Sequence, residues 1–111
     1  VSVTERRKYQ RVKTQNALSY VCIDDKGTPT EERTGTAMEI SQGGLFMETH
    51  HPLTPQDVLL ITMDIQGEWV PIKGRVIHCR TDDSGKSRMG IQFLESNEKI
   101  LSFVKKHDKN E

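Results

Sequence analysis

Two stretches of this chain carry side chains suited to holding a ligand. Residues 36–48 read Thr-Ala-Met-Glu-Ile-Ser-Gln-Gly-Gly-Leu-Phe-Met-Glu. Residues two apart share a face of a strand, so Met38 and Ile40 are expected on the core side and Glu39 and Ser41 on the other. That second side offers a carboxylate beside a hydroxyl. Gly43 and Gly44 follow, and a pair of glycines permits a tight turn, with positive φ open to it and backbone N–H groups free to meet a ligand. The other stretch is residues 1–13, where Arg6, Arg7, Lys8, Arg11 and Lys13 stand against one acid, Glu5. A guanidinium donates two coplanar hydrogen bonds to a phosphate or to the O6/N7 edge of guanine, and it also stacks on a base. Both stretches have an ordinary reading too: Ser-x-Gly-Gly is a common hairpin connector, and terminal charge runs are commonly solvated and frayed.

Catalytic patterns are missing around these residues. Ser41 is not a nucleophile elbow, because Glu39 stands where that motif needs glycine. No Walker-type phosphate loop and no carboxylate pair framing a cleft is evident, so binding is expected in place of catalysis, with no cofactor. Cys22 and Cys79 fall in two different expected strands and read as reduced thiols. No CxxC or HxxxH spacing occurs, and His50-His51 followed by Pro52 reads as a loop, so no metal is expected. His78 is expected at a rim and Trp69 over a core edge.

The elements that must position these groups are read from periodicity. Strands are expected over residues 14–24, 34–40, 45–49, 57–65, 69–80 and 87–94. The first has Leu18, Tyr20 and Cys22 on one side and Ala17, Ser19, Val21 and Ile23 on the other, both fairly apolar. That suits a barrel, or a sheet whose outer side is partly covered. Leu59, Ile61, Met63 and Ile65 share one face of the fourth strand, and Val70, Ile72, Val76 and His78 share one parity of the fifth. Turns at residues 41–44, 66–68 and 81–86 make these antiparallel hairpins, and no βαβ spacing appears. After Glu95 the period changes to helical: Ser96 or Asn97 caps a helix with Ile100, Leu101, Phe103 and Val104 as its apolar stripe, and Lys105 and Lys106 suit its last turn.

The chain has 111 residues, 33% apolar and 29% charged, with a net charge of zero. This is one modest domain with no overall attraction for nucleic acid or an anionic membrane, so any anion binding must be local. No apolar run approaches the roughly twenty residues of a membrane span, and the opening residues lack a signal-peptide pattern. A soluble, cytoplasmic protein with no membrane insertion is expected.

Taken together, Arg7-Lys8-Tyr9-Gln10-Arg11, preceded by Arg6, and Glu39-Ile40-Ser41-Gln42-Gly43-Gly44 resemble the paired RxxxR and (D/N)xSxxG motifs of the PilZ domain family. Gly74-Arg75-Val76-Ile77 and Gly90-Ile91-Gln92-Phe93 are similar to that family's later strands, so the resemblance covers nearly the whole chain. It implies an all-β fold, a six-stranded antiparallel β-barrel with a C-terminal α-helix. Residues 1–13 would form a flexible basic arm, 14–95 the barrel, and 96–107 a helix of the same domain. It also implies a non-enzymatic receptor that binds the bacterial second messenger cyclic di-GMP and passes the signal to a protein partner.

By the same resemblance, Arg7 and Arg11 clamp guanine bases and phosphates, with Arg6 as a neighbouring contributor. Glu39, Ser41 and Gly44 take the positions of the second motif, with Gly43 beside them. Chemistry supports the pairing independently, because guanine offers N–H donors to a carboxylate and acceptors to an arginine. The departure is Glu39, where the pattern has Asp or Asn. Its extra methylene carries the carboxylate about 1.5 Å further out and adds a rotatable bond. A related cyclic dinucleotide, or a scaffold that binds no nucleotide, is therefore the alternative. A single-stranded nucleic-acid polymer is disfavoured by zero net charge and 5% aromatic content. Oligomeric state stays open.

Overall fold

A computed structural model describes residues 11–24 and 26–107. Arg6, Arg7 and the rest of residues 1–10 lie outside that range. Six strands are present, β1 (Val12–Ile23), β2 (Arg33–Ile40), β3 (Gly44–Thr49), β4 (Val58–Ile65), β5 (Glu68–Thr81) and β6 (Ser87–Phe93), followed by helix α1 (Glu98–His107). They close into a barrel in the order β1-β2-β3-β6-β5-β4, with antiparallel neighbours throughout. Because β1 pairs with β4 as well as with β2, the ring leaves no open strand edge to recruit another chain.

Alternation fills the interior as the pattern predicts. Leu18 and Tyr20 of β1, Leu45 and Met47 of β3, Leu59, Ile61, Met63 and Ile65 of β4, and Val70, Ile72 and Val76 of β5 are all buried. The buried polar groups are paired: Thr49 Oγ1 donates to the Thr34 carbonyl at 3.0 Å, which leaves it to accept from the Tyr20 hydroxyl at 3.1 Å. The helix starts at Asn97, whose side-chain oxygen accepts from the N–H groups of Lys99 at 2.9 Å and Ile100 at 3.2 Å. This is the N-cap chemistry that relieves a helix's unpaired donors. Ile100, Phe103 and Val104 are buried in the core, while Leu101 is only half-buried.

Two positions break the expected alternation. In β2 the buried residues are Ala37 and Ile40, three apart, and Met38 is half-exposed. The register with β3 steps between Ala37 and Glu39, so Met38 has no partner there and forms a bulge. Opposite, the β1 register steps between Lys13 and Asn16. In β5 the register with β6 steps between Val76 and His78, making Ile77 a second bulge. An extra residue reverses the parity of everything beyond it. Met38 is therefore not a core residue as the strict pattern required, and His78 does not share the face of Val76. His78 is exposed, and Cys79 packs against the core instead. Cys22 and Cys79 are both free thiols.

Candidate functional site

The two bulges lie at opposite ends of one cross-strand row. Pairing places Lys13 opposite Glu39, Glu39 opposite Phe46, Phe46 opposite Gly90 and Gly90 opposite His78, so the row runs over β1, β2, β3, β6 and β5. Met38 and Ile77 each immediately precede a member of the row, Glu39 and His78. Without the parity reset at each bulge, the carboxylate and the imidazole would point into the core.

A pocket of about 600 Å³ opens over this row on the outside of the barrel. Arg11, Glu39, Ser41, Gly43 and Gly44 line one side, with Phe46, Ile77, His78, Gly90 and Gln92 along the floor and far side. The volume falls within the usual range for small-molecule sites. Of the seven residues expected at a site, the structure brings five together here. The other two, Arg6 and Arg7, fall outside the described residues.

Arg11 reaches Glu39 across the mouth, Nη1 to Oε1 at 3.5 Å, with the two side chains 51% and 29% exposed. A pair so accessible to water contributes little to stability. Ser41 is placed differently from the sequence expectation. Its Oγ accepts from the N–H groups of both Gly43 and Gly44 at 3.2 Å and donates to the Gly44 carbonyl at 3.2 Å. These backbone N–H groups are thus occupied by the serine and not left open. Ser41 sets the turn that presents Glu39, and its own N–H donates to Gly44 O at 2.8 Å.

Nor does the turn use left-handed glycine, since the described glycines with positive φ are Gly27, Gly67 and Gly85. Gly44 answers instead to close approach: a Cβ there would lie 2.1 Å from the Ile91 carbonyl oxygen. Gly90 clears the floor, where a Cβ would lie 2.6 Å from His78 Nε2. With no side chain between them, Phe46 and His78 stand with ring centroids 6.4 Å apart, tilted by 44°.

Phe46, His78, Gly90 and Gln92 were not singled out as site residues from the sequence. The available signal was Gly90, a glycine in mid-strand, which marks a bulge or a close approach. The assembled groups are a carboxylate acceptor, a guanidinium donor and two aromatic rings around an open floor. That set suits a flat, hydrogen-bonding, anionic heterocycle. Among the described residues, no group of three or more His, Cys, Asp or Glu side chains gathers to hold a metal.

The family model described as the PilZ domain matches residues 5–106. No curated protein sequence matches the chain significantly. Among solved structures, the Bacillus subtilis inhibitor of motility (MotI/DgrA) superposes with a TM-score of 0.74 at 17% identity, covering 96% of this chain and 54% of its own. The PilZ domain of Escherichia coli YcgR, solved with c-di-GMP, gives a TM-score of 0.65 at 13% identity over 90% of this chain and 86% of its own. The K. pneumonia MrkH–c-di-GMP complex gives 0.63 at 16% identity over 91% of this chain and 49% of its own. At such identities the likeness establishes a shared fold, and the chain spans about half the length of the motility inhibitor.

Proposed function

Because the chain belongs to the PilZ domain family, a family of non-catalytic receptor and effector domains, we propose that it binds cyclic di-GMP in the pocket over the Glu39–His78 row. The observation that carries this reading is the approach of Arg11 to Glu39 at 3.5 Å over a pocket shared with Ser41, Gly43 and Gly44. Arg11 comes from one motif and Glu39 from the other, 28 positions apart in sequence.

In this reading Glu39 accepts from the N–H edge of guanine, and Arg11, joined by Arg6 and Arg7, binds phosphate and the O6/N7 edge. Phe46 and His78 supply ring faces for a base. Ser41 and the two glycines hold the turn that carries the carboxylate.

The ligand does no chemistry, so the signal must be a new surface. Binding draws the basic residues ahead of β1, 1–11, over the pocket mouth and fixes them between nucleotide and barrel, creating a composite face for a protein partner. The conformational entropy lost in that ordering is offset by charge-assisted hydrogen bonds. No helix among the described residues is long and apolar enough to cross a membrane. A cytoplasmic receptor, where the nucleotide would be encountered, is part of the proposal.

Calorimetric titration with cyclic di-GMP tests the reading. Saturable heat is expected, and none at high micromolar ligand overturns it. Binding of a mixed cyclic dinucleotide in preference would instead place the specificity change at Glu39.

A further inference from the structure

Strand β5 presents Trp69, Pro71, Lys73, Arg75 and Ile77 at alternate positions, opposite in parity to its buried residues Val70, Ile72 and Val76. This outer strip collects the large apolar side chains that the described residues leave most exposed. Trp69 at 59% and Ile77 at 44% lie in it. Leu60 at 42% pairs with Lys73 from the β4 side, and Leu94 at 37% donates its N–H to the Lys73 carbonyl at 2.8 Å from the other side. Lys73 therefore stands between two exposed leucines.

Arg75 has Val58 opposite it on β4 and Gln92 opposite it on β6. The cross-strand rows through these two cations, Val21–Leu60–Lys73 and Ile23–Val58–Arg75–Gln92, contain no carboxylate. Among the described residues neither cation makes an ion pair.

We propose that this strip docks a partner protein segment whose apolar side chains are flanked by Asp or Glu. Exposed apolar area framed by polar groups marks interaction surfaces, and two cations with no ion-pair partner among the described residues select the charge of what covers them. The barrel is closed, so the partner cannot add as a strand and must read side chains. A second copy placed by a two-fold axis would set Lys73 and Arg75 against their own counterparts. Residues 1–10 carry Arg6, Arg7 and Lys8 against Glu5 and repel the strip likewise. Two cations alone attract an anionic bilayer too weakly to hold it. The strip ends at Ile77, which also lines the pocket, so the surface extends the effector reading above. It is complete without nucleotide, and its test is read separately.

The probe is a synthetic peptide of alternating Glu and Leu or Phe, titrated into the isotope-labelled chain and followed by amide shifts without nucleotide. Shifts are expected over residues 58–62, 69–77 and 92–94, weakening with added salt. Lys73→Glu with Arg75→Glu should raise the dissociation constant at least tenfold, and Leu60→Ser should also weaken binding. Cyclic di-GMP titration of the double variant should match that of the unchanged chain. A peptide with Lys in place of Glu, and phosphatidylglycerol vesicles, should leave the spectrum unchanged. The proposal is overturned if the acidic peptide leaves the strip unshifted, binds the double variant equally, or is matched by the basic peptide or the vesicles. Self-association that the double variant abolishes would also overturn it.

Discussion

Arg11 and Glu39 neutralise each other in the free protein, which makes their separate contributions to a ligand measurable. Arg11→Ala removes a charge-assisted fork and should weaken cyclic di-GMP binding by about 1.5–3 kcal/mol, ten- to hundred-fold, by calorimetry. Because the pair is half-exposed, the same variant should keep its unfolding midpoint. Glu39→Ala tests base reading more directly. Adenine lacks guanine's adjacent N1–H and N2–H donors, which a carboxylate accepts as a pair, so the variant should lose preference for cyclic di-GMP over cyclic di-AMP in competition titrations; an unchanged ratio would reject the carboxylate as the guanine reader. Gly44 and Gly90 should separate stability from binding. At Gly44 an added methyl meets backbone, the Ile91 carbonyl at 2.1 Å, and Gly44→Ala should cost about 1–3 kcal/mol or more in urea unfolding. At Gly90 it meets the end of an exposed side chain, His78, which can swing away. Gly90→Ala should therefore unfold nearly as the parent does yet bind nucleotide more weakly.

Elements were legible in this sequence wherever side chains repeat with a period, and illegible where one residue is added. Each strand begins and ends within two residues of its expected place, because alternation of Leu59, Ile61, Met63 and Ile65 bounded by turn residues admits few other readings. The bulges at Met38 and Ile77 left no such mark: Met38-Glu39-Ile40 and Val76-Ile77-His78 look like uninterrupted alternation, and only the register with β3 and β6 exposes the extra residue. Half of the pocket follows from that register. Arg11, Glu39 and Ser41 announced themselves by type and spacing, whereas Phe46 and His78 became neighbours only through strand order. Sequence also suggested open N–H groups at Gly43 and Gly44, but a serine two residues before a turn competes for them. The β5–β6 hairpin offers a test at this scale. Asp82 accepts from Ser84 Oγ at 2.6 Å, from the N–H groups of Ser84 at 2.9 Å and Lys86 at 3.1 Å, and from Arg88 at 3.2 Å. The Ser84 hydroxyl foremost, with those backbone donors and the Arg88 charge, holds its carboxyl down from 3.8 to about 2. A lowered carboxyl favours the folded hairpin fully above its ordinary value, and that preference disappears as pH falls through about 2. Carbon-detected titration should find the Asp82 carboxyl protonating well below its ordinary value, and Ser84→Ala should raise its midpoint.

At the scale of the whole molecule, the closed ring of strands constrains how a bound nucleotide can act. Each strand is held on both sides and α1 packs Ile100, Phe103 and Val104 into the core, so deforming the barrel would break ladder hydrogen bonds and core contacts together. In the proposed reading a ligand seated on the outer face acts through the residues that precede β1, where Arg6, Arg7, Lys8 and Arg11 supply the cations. Two consequences follow. Ligand at a hundred times its dissociation constant should stabilise the fold by about 2.7 kcal/mol, which at roughly 4 °C per kcal/mol for a domain of this size raises the melting temperature by about 10 °C; the shift should shrink in Arg11→Ala. Hydrogen exchange should slow in residues 1–11, at the turn of residues 41–44 and around His78, while the amides of β4 exchange at unchanged rates relative to global unfolding. Slowing spread evenly over β1 and β4 would mean that the barrel itself switches, and slowing at residues 41–44 alone would mean that the arm takes no part in the signal.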